Sequence, residues 1–169
     1  ADGNAIYDLL TAGDTVTAEM FSNFPLKDSS FDNGIVAHEW GHYIQNRLVG
    51  NANGLVNFQG RAMGEGWSDF HSMMFIVKDA DRNIEGNDTF QVPYATGTYV
   101  EDFTTGIRRI PYTPNMDINP LSFRHIEADT GADVGLPPTS VASPHAPGEI
   151  WATVLWDVYV ELLNTHEFD

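Results

Sequence analysis

The sequence has no cysteine, which excludes disulfides and thiolate metal sites and leaves any metal to His, Asp or Glu. Lysine is nearly absent, with only Lys27 and Lys78. Eight basic residues face 24 acidic ones, for a formal net charge of −16. Nucleic acid and anionic membranes are poor partners for such a surface. Solubility accounts for this charge; a saline habitat or bound calcium fits it too. No run approaches the roughly 18 apolar residues of a membrane span. The opening ADGNAIYDLL has neither the basic nor the apolar region of a signal peptide, although a mature secreted chain would look the same. Repeats and low-complexity tracts are also missing. What remains is a 169-residue chain with 42% hydrophobic and 12% aromatic residues, the composition of one globular domain with a sizeable core.

Three helices are legible. Ile6, Leu9 and Leu10 give a short helical pattern near the start. Over residues 34–49, Ile35, Val36, Tyr43, Ile44 and Leu48 keep a 3.6-residue period, and Asn51 to Gly54 supply turn residues that end it. A second helix is expected from about Ala62 to Val77, with Met63, Trp67, Phe70, Met74 and Val77 on one stripe. A third opens near Pro147, a residue favoured in a first turn, with Ile150, Val154, Leu155, Val158 and Leu162 facing one way. Between the last two, residues 79–148 hold eight of the nine prolines, which predicts mostly loop with short helical or extended pieces. So long an irregular stretch tends to be functional or to belong to a larger context.

HEWGH, residues 38–42, lies inside the first helix. Residues i and i+4 share one helix face, so His38 and His42 can ligate one ion, with Glu39 beside them able to reach a water on it. The same spacing also occurs by chance on amphipathic helices. Catalytic zinc needs a third protein ligand and an open fourth position. The extended HExxHxxGxxH form is not present, because position 45 is Gln and position 48 is Leu. The next acidic candidate on a helix is Glu65 in GRAMGEGWSDF, with Asp69 one turn on. Twenty-two intervening residues allow an antiparallel return that brings Glu65 to the histidines. Asp69 can then accept the free ring N–H of His38 and fix its tautomer. A Glu/Asp pair at this spacing is often a solvated face, but here it sits among Met63, Trp67, Phe70 and Met74.

FDNGIVAHEWGHYIQNRLVG followed by AMGEGWSDF resembles the fungalysin family of secreted metallopeptidases, relatives of thermolysin. GIRRIPYTPNMDINPLSF and HAPGEIWATVLWDVYVELLNTH resemble later blocks of that family, and the four blocks run in order from residue 31 to 166. The resemblance implies one zinc ion per chain on His38, His42 and Glu65, Glu39 as catalytic base, and an extracellular endopeptidase acting on protein or peptide, made with an inhibitory propeptide. It implies that His145 stabilises the oxyanion and that Arg108 contacts the substrate backbone. Arg109 can serve instead of Arg108, and either can simply pair with a carboxylate. Two departures stand out. The segment LVNFQGRAM lacks the tyrosine that thermolysin carries before its glutamate ligand. The chain is also expected to lack the strand-rich lobe that the family places before the motif, and the helices that follow.

The expected fold is therefore mainly α with little β: one zincin-type catalytic core over residues 1–169, its HExxH helix packed on a second helix that carries the glutamate. Two alternatives remain open on the residues alone. One is a zinc-binding module, or an incompetent portion of a peptidase, whose fourth metal position a protein group closes. The other is a zincin acting on bonds other than peptides. Asp79, Asp81, Asn83 and Glu85 alternate like calcium-loop ligands. Ile84 occupies the place that needs glycine and Phe90 the place of the bidentate glutamate, so an acidic turn is the better reading and calcium has no clear motif. Trp151, Trp156 and Tyr159 read as packing aromatics. His71 and His125 have no interpretable spacing, and His166 at most favours the helix dipole.

Overall fold

A computed structural model of the chain describes residues 27–126, 132–137 and 143–166; the pattern at Ile6, Leu9 and Leu10 lies outside them. Three α-helices organise the described residues: α1 (Asn33–Leu48), α2 (Phe58–Ile76) and α3 (His145–Thr165). No strand occurs among these residues, only isolated antiparallel bridges at Tyr94–Tyr112 and Asp102–Gly106. The mainly helical class thus holds. The long connection between α2 and α3 contains 3-10 turns at Asp79–Asn83, Phe123–His125 and Ala132–Val134. No helix among the described residues is long and apolar enough to cross a membrane.

Each helix start has a local cause. Asp32 Oδ1 caps α1 by accepting from the amides of Gly34 (2.9 Å) and Ile35 (3.2 Å). Its other oxygen accepts from Tyr99 (2.9 Å) and Val100 (3.3 Å), tying the long connection to the start of α1. Asn57 caps α2 through the Gly60 amide at 2.7 Å. Helix α2 therefore begins a full turn before the Ala62 expected from sequence, because the cap lies just beyond the turn residues Asn51–Gly54. Glu65 consequently stands well inside α2. Helix α3 begins at His145 with Pro147 in its first turn.

Helix α2 is central, with α1 packed on one side and α3 on the other. Phe70 and Met73 of α2, with Val77 just past its end, cluster with Ala152, Trp156, Val160 and Leu163 of α3, and Phe90 and Tyr112 from the connection complete this core. Ile110, Leu121 and Ile150 form a second cluster. The buried faces differ from the expected stripes. On α3 the buried set includes Glu149, Ile150, Ala152, Thr153, Trp156 and Val160, whereas Val154, Val158 and Leu162 are exposed. This helix is apolar on several sides, so periodicity could not choose a face. On α1 only His38 and Gly41 are buried, and Val36, Tyr43 and Leu48 are exposed.

Small residues explain both outcomes. A Cβ on Gly41 would lie 2.9 Å from Ser68 Cα, and one on Gly66 would lie 2.5 Å from the Gly148 carbonyl oxygen. The helices meet backbone against backbone at these points, and bulky apolar side chains are displaced to the flanks. Val36, Trp40, Tyr43 and Phe75 line one flanking cavity of about 680 Å³ with Glu39. Leu48, Met63, Trp67 and Met74 line another of about 440 Å³. Gly66→Ala is expected to force α2 from α3 and cost about 1–3 kcal/mol, read as a lowered urea midpoint with an unchanged slope. A wild-type midpoint would mean that the helices separate without strain.

Candidate metal centre

The crossing of α1 and α2 at Gly41 and Ser68 sets the distance between two polar rows. His38 and His42 project from α1, one turn apart, with ring centroids 4.6 Å from each other and nearly perpendicular planes. Glu65 projects from α2 between them. Its Oε2 is 3.5 Å from His38 Nε2, and its Oε1 is 3.6 Å from His42 Nε2. One ligand atom from each of the three residues lies within 4.8 Å of the other two, the sole such group of three or more among the described residues. The donor set suits zinc. Tetrahedral ligands at ~2.0–2.1 Å from an ion stand about 3.4 Å apart, close to the two carboxylate–imidazole spacings here. His42 and Glu65 open on a cavity of about 500 Å³ that also includes Gln45, Arg61 and Pro144.

Behind these three side chains lies a buried polar network. Asp69, one turn beyond Glu65 on α2, has no solvent exposure. It receives His38 Nδ1 at 2.7 Å, Arg108 Nε at 2.6 Å, an Arg108 terminal nitrogen at 2.8 Å and the Tyr112 hydroxyl at 2.5 Å. The same terminal nitrogen of Arg108 reaches Glu65 Oε2 at 3.3 Å. Burial alone would raise the Asp69 pKa, but Arg108 and His38 outweigh it and hold the acid at about 2. Burial alone would likewise lower His38; its bonds to Asp69 and Glu65 prevail and lift it to about 9. Glu65 resists protonation for the same reason: His38 and His42 overcome its desolvation. Burial works against the Arg108 cation, yet Asp69 keeps it firmly protonated.

The remaining sequence candidates fall at varied distances from this centre. Glu39 follows His38 on the exposed flank of α1 and lines the larger cavity with Trp40 and Tyr43, not the one shared by His42 and Glu65. His145, about half exposed, brings Nε2 to 3.5 Å from Glu65 Oε2, while its Nδ1 meets the Ser143 hydroxyl at 2.9 Å. Arg108 is engaged by Asp69 and Glu65, the carboxylate pairing left open from the sequence. Arg109 turns to α3 instead: its Nε and a terminal nitrogen bind Glu149 Oε2 at 2.8 and 2.6 Å, and its amide binds Oε1 at 3.0 Å. His71 Nδ1 lies 3.0 Å from the Ala37 carbonyl, and His125 folds back on the Ser122 amide. Asp81 accepts from the Lys78 amide and the Tyr94 hydroxyl, both at 2.9 Å, as a turn-building acid does.

Three residues escaped the sequence reading. Gln45 contacts His42 Nδ1 at 2.9 Å; its i+3 spacing was the available signal. Tyr112 and Glu149 act on partners about 40 residues away, and no local pattern announces such pairs.

Comparison with known proteins yields one family. The model for fungalysin metallopeptidases matches residues 2–169. Extracellular metalloproteinase 2 of Trichophyton tonsurans and Extracellular metalloproteinase mep of Aspergillus fumigatus are each 32% identical over 145 residues. Extracellular metalloproteinase MEP of Fusarium vanettenii is 35% identical over 145 residues. Each alignment covers 84% of this chain and 20% of the relative, so the chain spans a fifth of the length of these curated relatives.

The raised His38 pKa has a signed consequence for the metal-free chain. The folded state holds this proton to about pH 9 and the unfolded state only to the ordinary 6.5, so the contribution is complete below 6.5 and lost as pH rises through 9. The urea midpoint of the chelator-treated protein is therefore expected to fall between pH 6.5 and 9, and to fall less in His38→Gln. An equal fall in both proteins would place the titration elsewhere.

Proposed function

Because the chain belongs to the fungalysin metallopeptidase family, we propose that it forms the metal-holding core of a zinc-dependent endopeptidase that hydrolyses protein or peptide substrates outside the cell. The observation that carries this reading is the convergence of His38, His42 and Glu65 at ligand spacing. Two imidazoles and one carboxylate, in a chain without cysteine, suit zinc and leave one coordination position for substrate or water. The extracellular assignment follows the names of the relatives.

Within this reading each side chain has a task. When bound, the metal supplies Lewis acidity and a water acidified toward pKa ~7. Glu39, adjacent to His38 on α1, would serve as the general base, moving a proton from the attacking water to the leaving nitrogen. His145, at the exposed edge next to Glu65, donates to the developing oxyanion. Asp69 orients His38 through Nδ1. Arg108 acts mainly through Asp69 and Glu65, because three of its contacts go to these carboxylates, and it keeps both charged and fixed. The exposed apolar side chains beside Glu39 suit a substrate's apolar groups.

Zinc content and casein hydrolysis, measured together, test the proposal. Glu39→Gln is expected to retain one zinc per chain and lose about 10²–10⁴-fold in turnover. His38→Gln and Glu65→Gln are expected to lose the metal. Full hydrolysis by Glu39→Gln would remove Glu39 from the mechanism. One zinc without hydrolysis, even in the unaltered chain, would instead assign these residues to a metal-holding module.

A further inference from the structure

The two histidines of the centre are held by partners of opposite chemistry. His38 Nδ1 faces the Asp69 carboxylate, an acceptor. His42 Nδ1 faces the side-chain amide nitrogen of Gln45 at 2.9 Å, a donor. That nitrogen also donates to the Gly64 carbonyl at 2.8 Å and lies 3.0 Å from the Ser68 hydroxyl. Gln45 Oε1, by contrast, is buried and accepts no hydrogen bond within the protein. The amide is engaged entirely through its donor end, and its acceptor end is orphaned beside a ligand histidine.

This orientation determines where His42 carries its proton. An amide nitrogen accepts no hydrogen bond, so the Nδ1 opposite it presents a lone pair and the neutral ring holds hydrogen on Nε2, the nitrogen 3.6 Å from Glu65 Oε1. A metal ligand needs the reverse: a lone pair on Nε2 and a hydrogen on Nδ1 given to an acceptor. Resting on the metal-site reading above, we propose that Gln45 is the positioning residue for His42 and that its amide turns over when the site takes up zinc. Oε1 then replaces the amide nitrogen opposite His42 and accepts the Nδ1–H. The Ser68 hydroxyl serves either face, accepting from nitrogen or donating to oxygen. The Gly64 carbonyl loses its side-chain donor in the turned state, which disfavours that state without metal. Position 45 thereby supplies for His42 what Asp69 supplies for His38, with a group that can present either sign.

Long-range 1H–15N NMR on histidine-labelled chain, assigned with His42→Gln, tests this directly. Metal-free protein is expected to carry His42 as the Nε2–H tautomer, and zinc-loaded protein as Nδ1–H. Gln45→Glu, which offers only acceptors, is expected to show Nδ1–H before zinc is added. Gln45→Met keeps the length and removes both hydrogen-bonding ends. Competition with a chromophoric chelator should show its zinc Kd raised roughly 10-fold or more, while the His38 nitrogens keep their wild-type shifts. Nδ1–H on His42 in the metal-free wild type, or an unchanged Kd in folded Gln45→Met, would overturn the assignment. Should Gln45→Met fail to fold, the wild-type tautomer decides alone. A wild-type chain that takes up no zinc would instead sink the metal-site reading, and the metal-free tautomer would still judge Gln45.

Discussion

A carboxylate with no access to water must be surrounded by donors, and Asp69 imposes that demand on the whole centre. Stripping an ion of solvent costs several kcal/mol. Asp69 offsets it with donors from three residues in two segments: His38 on α1, and Arg108 and Tyr112 in the connection between α2 and α3. These groups meet only when the helices and the connection are all in place. Removing any one leaves charge in a medium that cannot solvate it. The network therefore behaves as a unit, and the candidate metal ligands inherit its rigidity.

Glu149 repeats the solution on α3. It too is buried, and Arg109 answers it with two side-chain donors on Oε2 and its amide on Oε1. Two helices thus each carry one interior acid, and consecutive residues of one segment supply both counter-charges. The close crossings at Gly41 and Gly66 make this workable, because only a short interhelical distance lets side chains of ordinary length converge. The same crossings push Trp40, Tyr43 and Trp67 to the flanks, so the apolar surface beside the centre follows from how the centre is packed.

Much of this was legible in the sequence, and the boundary has physical reasons. HEWGH showed its spacing because an α-helix converts i, i+4 into proximity, and Glu65 with Asp69 did so for the same reason. The helical class followed from periodic apolar residues. The choice of buried face did not, because periodicity ranks bulk and these helices meet through glycine and serine. Arg108 and Arg109 were indistinguishable in GIRRI, since their partners lie on different helices and only tertiary structure separates them. Tyr112 could not be found at all, as nothing near it in sequence refers to Asp69.

Those two arginines show what the connecting segment encodes. Backbone pairing pins it at both ends: Ile107 donates to the Thr96 carbonyl at 2.9 Å, and Tyr112 exchanges bonds with Tyr94 at 2.7 and 2.9 Å. Between these pins, Arg108 goes to α2 and Arg109 to α3. The information lies in phase, not in composition. A slip of one position would offer Arg109 to Asp69 and bring Ile110 against Glu149, stranding an interior acid beside an aliphatic chain although every residue type had been kept. Homologues of this segment are therefore best aligned by counting from the tyrosine bridge, since a gap placed inside the arginine pair would match an arginine to the wrong helix's acid.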